Sequence, residues 1–207
     1  MTLSAGIAPG RRGGTGVIEQ QVDAAWWRAV SWAREVCADP TAVYLDTETT
    51  GLGGDAEVVD IALVSADGRV LLDTLVRPQG PIPAAASRIH GIVAEDVRWA
   101  PGWDEVHAEL CALLHGRAVV VYNADYDRRI VSQCCQRHRL ADVAARWHCA
   151  MRQYAVFRGE GAGRRGHRWH RLEHAAVSFG AAPGGHRALG DALSCRAVVL
   201  GMAAAEA

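Results

Sequence analysis

Short apolar runs, bounded by turn residues, alternate with helical periodicity along this chain. Three of the runs lie close together near residue 50, and Asp67-Gly68 between the second and third is typical of a hairpin turn. A fourth apolar run, 118–122, leads directly into a polar segment. The pattern therefore predicts a meander of three strands, at 42–46, 57–65 and 69–76, followed by a further buried strand.

Helical spacing of apolar residues predicts the other elements. The first helix, at about 18–37, carries Trp26, Trp27 and Trp32, which we expect to pack on the sheet; a partner-docking surface is the alternative. Segment 147–157 is predicted to mix a short strand with a helix. Further helices are predicted at 84–89, at 93–97, after Pro101, from the second acidic segment to about Arg137, at 171–180 and at 188–203. This order predicts an α/β fold with a mixed sheet flanked by helices.

Length and composition indicate one folded domain. About half of the 207 residues are hydrophobic, which is enough for a substantial core, and no linker divides the chain. Residues 1–16 are Gly-rich and aperiodic, so they are predicted to form a disordered tail before a single domain at 17–207. No apolar stretch approaches the length of a membrane helix, and we expect a soluble, cytoplasmic protein with no membrane association.

Charge and cysteine content exclude several classes of site. All 22 basic residues are Arg, so a P-loop lysine and a Schiff-base lysine are both absent. The net charge of −1 means that a polyanion must be bound by a local patch rather than by the whole surface. The six cysteines lack zinc-ligand spacing and are expected to be free thiols in a reducing compartment.

Two carboxylates follow the first buried strand. Asp46 and Glu48 are two residues apart, so on a strand they point to the same side, where they repel each other. A divalent cation relieves that repulsion, because Mg²⁺ and Mn²⁺ prefer oxygen ligands. A solvated acidic turn is the alternative. The pair makes metal-assisted chemistry on a phosphate the first hypothesis.

A second acidic segment follows the strand at 118–122. Asp125 or Asp127 there could simply cap the next helix, where a carboxylate is favoured by the helix dipole. If the strands before Asp46 and before this segment are adjacent, however, both acidic ends meet at one edge of the sheet, which is where ligand sites of α/β sheets gather.

A third cluster precedes the last helix. His186 follows Gly184 and Gly185, which we expect to leave the loop free to move, and Asp191 falls near the start of the helix. A histidine on a loop is usually solvated, but a histidine beside a metal site can take a proton from water at neutral pH.

An arginine-rich segment, 158–171, is the candidate for contacts with a polyanion. Arg164, Arg165, Arg168 and Arg171 could hold phosphates, and Trp169 could stack on a base; a solvated surface loop is the alternative. The glycines of this segment match G-x-G-x-x-G, but no apolar strand pattern leads directly into it and two Arg interrupt it, so a dinucleotide site is rejected.

Taken together, the acidic segments resemble the three motifs of the DEDDh, or DnaQ-like, exonuclease family, which includes the epsilon proofreading subunit of bacterial DNA polymerase III. The matching segments are 46–51 (DTETTG), 123–127 (NADYD) and 186–191 (HRALGD), and 89–92 (IHGI) also looks like a family segment. The resemblance covers about residues 40–200. It implies a ribonuclease H-like fold, with a five-stranded mixed sheet flanked by helices.

The resemblance also implies roles for the acids. Asp46, Glu48, Asp127 and Asp191 would hold two divalent cations, Mg²⁺ or Mn²⁺, about 3.5–4 Å apart. Asp46 would bridge both ions, Glu48 and Asp191 would complete the site of the ion that carries the attacking water, and Asp127 would hold the other ion. His186 would be the general base. Asp127 is favoured over Asp125 because the family's acid follows an aromatic residue, which is commonly Phe and here is Tyr126. Thr49, Leu52 and His90 resemble family positions near the terminal nucleotide.

The implied function is a metal-dependent 3′–5′ exonuclease that releases nucleoside 5′-monophosphates from single-stranded or 3′-ended DNA. An RNA-directed relative of the ribonuclease T or oligoribonuclease type is the alternative, and such enzymes often form homodimers. A third alternative is a non-catalytic, polymerase-associated subunit. The intact acids and His186 argue against it. About 16 residues follow Asp191. This is shorter than a tail or fused domain that would tether the chain to a polymerase, so we expect a free-standing enzyme. Homodimer formation and polymerase association are left open.

Overall fold

Five strands and seven helices make up the part of the chain described by this computed structural model, residues 16–161 and 166–206, with side chains described from residue 24. In chain order they are α1 (Gly16–Ala38), β1 (Val43–Thr49), β2 (Val58–Ser65), β3 (Val70–Leu75), α2 (Ala84–His90), α3 (Trp103–Leu114), β4 (Ala118–Val121), α4 (Ala124–Arg137), β5 (Arg146–Cys149), α5 (Ala150–Arg158), α6 (Leu172–Ser178) and α7 (Ala188–Ala203).

The strands form one sheet in the order β3-β2-β1-β4-β5. The first three make the predicted antiparallel meander, and β1 then pairs in parallel with β4, which pairs in parallel with β5. Only β2 among these strands runs against the others. The expected five-stranded mixed sheet with flanking helices is therefore confirmed, and β1 and β4 lie side by side with their carboxyl ends at the same edge.

Each face of the sheet has its own helical layer, because side chains alternate along the central strands. Val43 and Leu45 of β1 face α3 and α4, whereas Tyr44 faces α1, α5, α6 and α7. The strand β4 consists of Ala118 and three valines, all buried, so it packs against both layers. Burying one such side chain stabilises the fold by about 1.5–3 kcal/mol.

The tryptophans of α1 hold this helix against the domain. Trp26 stacks on Phe157 of α5 with ring centroids 5.7 Å apart, and Trp32 Nε1 donates a hydrogen bond to His148 Nδ1 at 3.4 Å. Trp27 lies nearer the surface, under the guanidinium of Arg34. The expectation that the tryptophans pack on the sheet is confirmed for Trp32, which contacts His148 of β5, whereas Trp26 packs on α5 instead.

Several predicted boundaries differ from the structure. Strand β1 continues through the acidic motif to Thr49, because it pairs with β2 over that whole length. Segment 93–97 forms turns rather than a helix, and Val97 anchors these turns to the core beside Ile92 and Val59. Segment 147–157 divides into β5 and α5, as expected of a mixed segment. The predicted tail lies outside the described residues, apart from Gly16, which begins α1.

Two further expectations concerned free thiols and the lack of a membrane-spanning helix. All six cysteines are free thiols, and Cys134, Cys135 and Cys195 are buried. Across residues 16–161 and 166–206, no helix combines the length and the apolar character needed to cross a lipid bilayer.

Gly201 generates a prediction about stability. It lies in α7 under the ring of Phe179, and a Cβ atom at this position would overlap the ring. Alanine at Gly201 gains about 1 kcal/mol in helix propensity, but overpacking costs about 1–3 kcal/mol. We expect G201A to lower the melting temperature, and the double variant with Phe179→Leu to lose less than the sum of the single changes. Thermal unfolding followed by circular dichroism measures both; additive losses would contradict the proposed overlap.

Candidate active site

Two acids of β1 point to the same side of the sheet. Asp46 and Glu48 alternate with Thr47 and Thr49, and they share the face on which Tyr44 packs, toward α7. In the antiparallel register with β2, Glu48 lies opposite Asp60. β1 pairs with β2 along its whole length and with β4 at Val43 and Tyr44, so the sheet holds the backbone that carries Asp46 and Glu48.

The third acid comes from the start of α4. Asn123 is the N-cap of this helix, just after β4, and has the left-handed conformation with φ of 86°. Asp127 in its first turn is buried, and its Oδ1 accepts a hydrogen bond from Thr47 Oγ1 at 2.8 Å. Asp125 is exposed and pairs with Arg152 at the surface. The structure thus brings Asp127, and not Asp125, beside the acids of β1.

The fourth acid and the histidine come from the start of α7. Asp191 is buried in the first turn, and His186 lies on the loop just before the helix with φ of 55°. A Cβ at Gly184 would overlap Gly190 and Asp191, so this glycine serves a close approach of the loop to the helix. The mobility expected of this loop stays a prediction.

These side chains converge on one cavity of about 960 Å³ that is lined by Asp46, Glu48, Asp127, His186 and Asp191. Ligand atoms of Glu48, His186 and Asp191 all lie within 4.8 Å of one another. Converging carboxylate oxygens form a donor set that Mg²⁺ and Mn²⁺ accept. The residues present therefore fit a divalent metal site.

Burial raises the pKa values of all four acids, and repulsion from the neighbouring acids adds to this at Asp46 and Glu48. Burial raises the pKa of Glu48 to about 8, and the charges of Asp191, Asp60 and Asp127 add to this effect. Burial raises the pKa of Asp191 to about 6 against the opposing influence of His186. The pKa values of Asp46 and Asp127 are also raised, above all by burial. Without a cation, the folded protein thus holds protons on these acids that an exposed carboxyl would release.

His186 has an acidic neighbour that the sequence did not point to. Its Nε2 lies 3.3 Å from Oε1 of Glu173, at the start of α6, and Glu173 also lines the cavity. A carboxylate beside an imidazole can accept its N–H and so orients the ring. Glu173 is therefore placed to restrain the side chain of His186.

Only some of the predicted substrate residues line the cavity. Thr49, Leu52, His90 and Trp169 line the cavity; Leu52 is 80% exposed and Trp169 is 65% exposed. Arg168 is exposed, does not line the cavity, and lies 3.8 Å from Glu160. Arg164 and Arg165 lie outside the described residues.

Hydroxyl groups shape the cavity wall near Leu52. Thr49 Oγ1 and Tyr126 Oη lie 2.6 Å apart, and each lies 2.9 Å from the carbonyl oxygen of Gly51; one hydroxyl donates to the other, which donates to the carbonyl. Arg129 lies over the Tyr126 ring and donates to the Leu52 carbonyl at 3.3 Å. A phenylalanine at 126 would lack the hydroxyl contacts, so Tyr126 here ties the turn that presents Leu52.

The sequence reasoning assigned no role to two further residues near the site, Asp60 and Arg187. Asp60 is a buried acid in the middle of the apolar run 58–64, and Arg187 donates from Nε to its Oδ2 at 2.8 Å. A single charge within a buried strand was a visible signal for Asp60, because such a charge needs a partner. No comparable signal pointed to Glu173, whose role depends on how α6 packs.

Comparison with known proteins identifies the family. The sequence model of the exonuclease family, RNase_T, matches residues 43–199. The chain belongs to this exonuclease family. The exonuclease is 41% identical over 172 residues to the uncharacterized exonuclease CP81 of Escherichia phage 186, covering 79% of this chain and 86% of the phage protein. It is also 44% identical to a DNA polymerase III subunit epsilon-like protein of Rhodobacter capsulatus over 95 residues, which are 42% of this chain and 13% of that protein.

Solved structures agree with this family. Exonuclease X, in complex with 5′-overhanging duplex DNA, is 25% identical with a TM-score of 0.51, over 78% of this chain and 90% of that one. The nuclease domain of 3′hExo, a DEDDh family member bound to rAMP, has a TM-score of 0.63 at 17% identity, over 77% of this chain and 90% of that one. The exonuclease is thus a DEDDh-type hydrolase that acts on nucleic acid, in a family that normally uses divalent metal ions.

The raised pKa of Glu48 generates a prediction about pH. The unfolded chain releases this proton near the ordinary pKa of 4.5, but the folded protein holds it up to about 8. In this window the unfolded chain binds fewer protons, so stability in chelator falls as pH rises. We expect E48Q to melt several degrees above the wild type at about pH 8.5 and at the same temperature near pH 4.5.

Cation binding provides the second arm of this test. Because an ion that binds only the folded protein stabilises it, Mn²⁺ is expected to raise the wild-type melting temperature at about pH 8 more than that of Glu48→Gln. The matched control is Glu109→Gln, which changes an exposed acid on α3. Equal melting temperatures of the wild type and Glu48→Gln at every pH would contradict the electrostatic account.

Proposed function

We propose that this exonuclease removes nucleoside 5′-monophosphates from the 3′ end of DNA, with two divalent cations held by Asp46, Glu48, Asp127 and Asp191. The observation that supports the proposal is the convergence of these acids and His186 on one cavity. When bound, the cations would activate a water molecule and stabilise the charge that develops on the phosphate. The acids supply the negative charge that holds the ions and fixes their positions.

His186 is the proposed general base. It takes a proton from the attacking water at an imidazole nitrogen, and the ligand atoms of Glu48 and Asp191 lie within 4.8 Å of its own. Glu173 stabilises the protonated ring that results, since its carboxylate lies beside Nε2. The proton then leaves to solvent, because His186 is exposed.

The apolar part of the cavity accommodates the end of the strand. Leu52 and Trp169 offer exposed apolar surface, and Ile89 and Met151 add to the apolar lining. A nucleobase stacks well on an indole ring. His90 Nδ1 accepts a hydrogen bond from the Ile92 amide at 3.0 Å, which leaves the proton of the neutral ring on Nε2. Thr49, His90 and Leu52 would contact the terminal nucleotide, and Arg168 a phosphate farther along the strand.

DNA is the preferred substrate in this proposal. The epsilon-like relative and the DNA complex of exonuclease X support it. RNA is the competing substrate, because RNA exonuclease 4 of Cryptococcus neoformans is 29% identical over 42% of this chain. Matched DNA and RNA oligonucleotides, labelled at the 3′ or the 5′ end, distinguish the two. Cleavage from the 3′ end releases a 3′ label at once as a mononucleotide, whereas a 5′ label gives a ladder of shortened products.

Substitution of the acids and of His186 tests the chemistry. We expect Asp46→Asn or Asp191→Asn to lower cleavage by about 10³-fold or more, because several kcal/mol of charge stabilisation depends on the bound ions. For His186→Ala we expect a fall in kcat of about 10²–10⁴-fold, as for a general base. Cleavage rates with Mg²⁺ or Mn²⁺ measure both. The control is His174→Ala, which removes an exposed histidine that does not line the cavity.

Near wild-type cleavage by Asp46→Asn or Asp191→Asn would refute the metal-ligand roles. If His186→Ala changed KM alone, the residue would be a substrate contact rather than a base.

Trp169 tests the substrate side of the cavity. Stacking on an aromatic side chain contributes about 1–3 kcal/mol per base, so W169A is expected to raise KM about 5- to 150-fold with little change in kcat. Trp99→Ala is the matched control, because Trp99 is also an exposed tryptophan but does not line the cavity. Kinetics on a single-stranded oligonucleotide measure the effect; equal KM values for both variants would remove Trp169 from the substrate site.

A further inference from the structure

Asp60 is a charged residue at the centre of a buried strand. Every residue of β2 is buried, and Asp60 is 1% exposed. It is the register partner of Glu48, so it lies directly beside the candidate metal ligands without lining the cavity. A carboxylate buried in this way is costly unless it is paired, because it gives up its hydration.

The partners of Asp60 come from the segment just after His186. Oδ2 accepts hydrogen bonds from Arg187 Nε at 2.8 Å and from the backbone amide of Ala188, the first residue of α7, at 3.3 Å. Oδ1 has no hydrogen-bonding partner within the described part of the chain. Nearly all of the compensation for this buried charge therefore comes from two successive residues at the start of α7.

The loop that carries His186 has an unfavourable backbone conformation. Gly185 and His186 are both left-handed, with φ values of 74° and 55°, and such a conformation costs a histidine about 1–2 kcal/mol. A residue stays in it only when its surroundings impose it. Here the loop is fixed on one side by the close approach of Gly184 to α7, and on the other by the bond of Arg187 to Asp60.

We propose that Asp60 is a positioning residue, which holds His186 in place for proton transfer through its bonds to Arg187 and Ala188. The inference rests on the proposed function, because it assigns a purpose to the place of His186. The central strand β2 fixes Asp60, Asp60 fixes the start of α7, and the left-handed turn then presents the imidazole to Glu48 and Asp191. A shift of about 1 Å in a catalytic group can lower a rate about 10²-fold.

A double-mutant cycle tests the inference. The four proteins are the wild type, Asp60→Asn, His186→Ala and the double variant, assayed with saturating Mn²⁺ on a 3′-labelled oligonucleotide. We expect D60N to lower kcat about 10- to 100-fold and to leave KM within about twofold. In the His186→Ala background we expect the same change to alter kcat by less than about twofold, because the group it positions is already gone.

Two sets of controls separate positioning from general disturbance. Asp73→Asn removes an exposed acid that acts on Arg187 only at longer range, and it should leave kcat unchanged. If Asp60→Asn does not fold, as judged by thermal unfolding, substitutions of Arg187, the exposed partner of Asp60, test the inference instead. Arg187→Gln should then lower kcat in the same way, whereas Arg187→Lys, which keeps a charged donor, should recover most of the loss.

The outcomes distinguish this inference from the proposed function. Wild-type activity of His186→Ala would refute the general base, and the inference with it. If His186→Ala is impaired but Asp60→Asn lowers kcat equally in both backgrounds, only the positioning role fails. It also fails if Asp60→Asn changes only KM or the Mn²⁺ concentration needed for half-maximal rate, since the charge of Asp60 would then act on the metal ligands rather than on His186.

Discussion

The repulsion among four converging carboxylates is the constraint on which the rest of the structure depends. Asp46, Glu48, Asp127 and Asp191 are drawn to one place by β1, α4 and α7, and burial raises the pKa of each. A fold tolerates such a cluster only where the surrounding core is strong enough to offset it. Here the two apolar layers on β1 and β4 provide that stability, and a bound cation would turn the repulsion into attraction.

The site combines rigid and restrained parts. The acids are carried by hydrogen-bonded strands and helix starts, where the backbone has little freedom. His186 lies instead on a loop, and its neighbours restrain it: Glu173 at the ring, and Asp60 through Arg187. Metal ligands need fixed distances, whereas a residue that exchanges a proton with water must also reach solvent. The division between strand and loop satisfies both demands.

Much of the fold and of the acidic cluster could be predicted from sequence, for local reasons. The strands around Asp46 and before Asp127 are apolar runs with clear ends, and the family resemblance fixes which acids belong together. Asp60 and Glu173 could not be placed in this way, because their partners depend on strand register and helix packing over more than ten residues of chain. Segment 93–97 was mistaken for a helix, since short apolar spacing does not distinguish a helical turn from successive tight turns.

The helix α1 lies outside the segment that matches the exonuclease family, residues 43–199, yet it contributes Ala33 and Val36 to the core beneath α7. The segment matched by the family model is therefore smaller than the unit that folds in this chain. A protein trimmed to residues 43–199 would expose an apolar groove along α5 and α7 to the solvent, and it would be prone to aggregate. In this enzyme, the limits of homology are a poor guide to where the polypeptide can be cut.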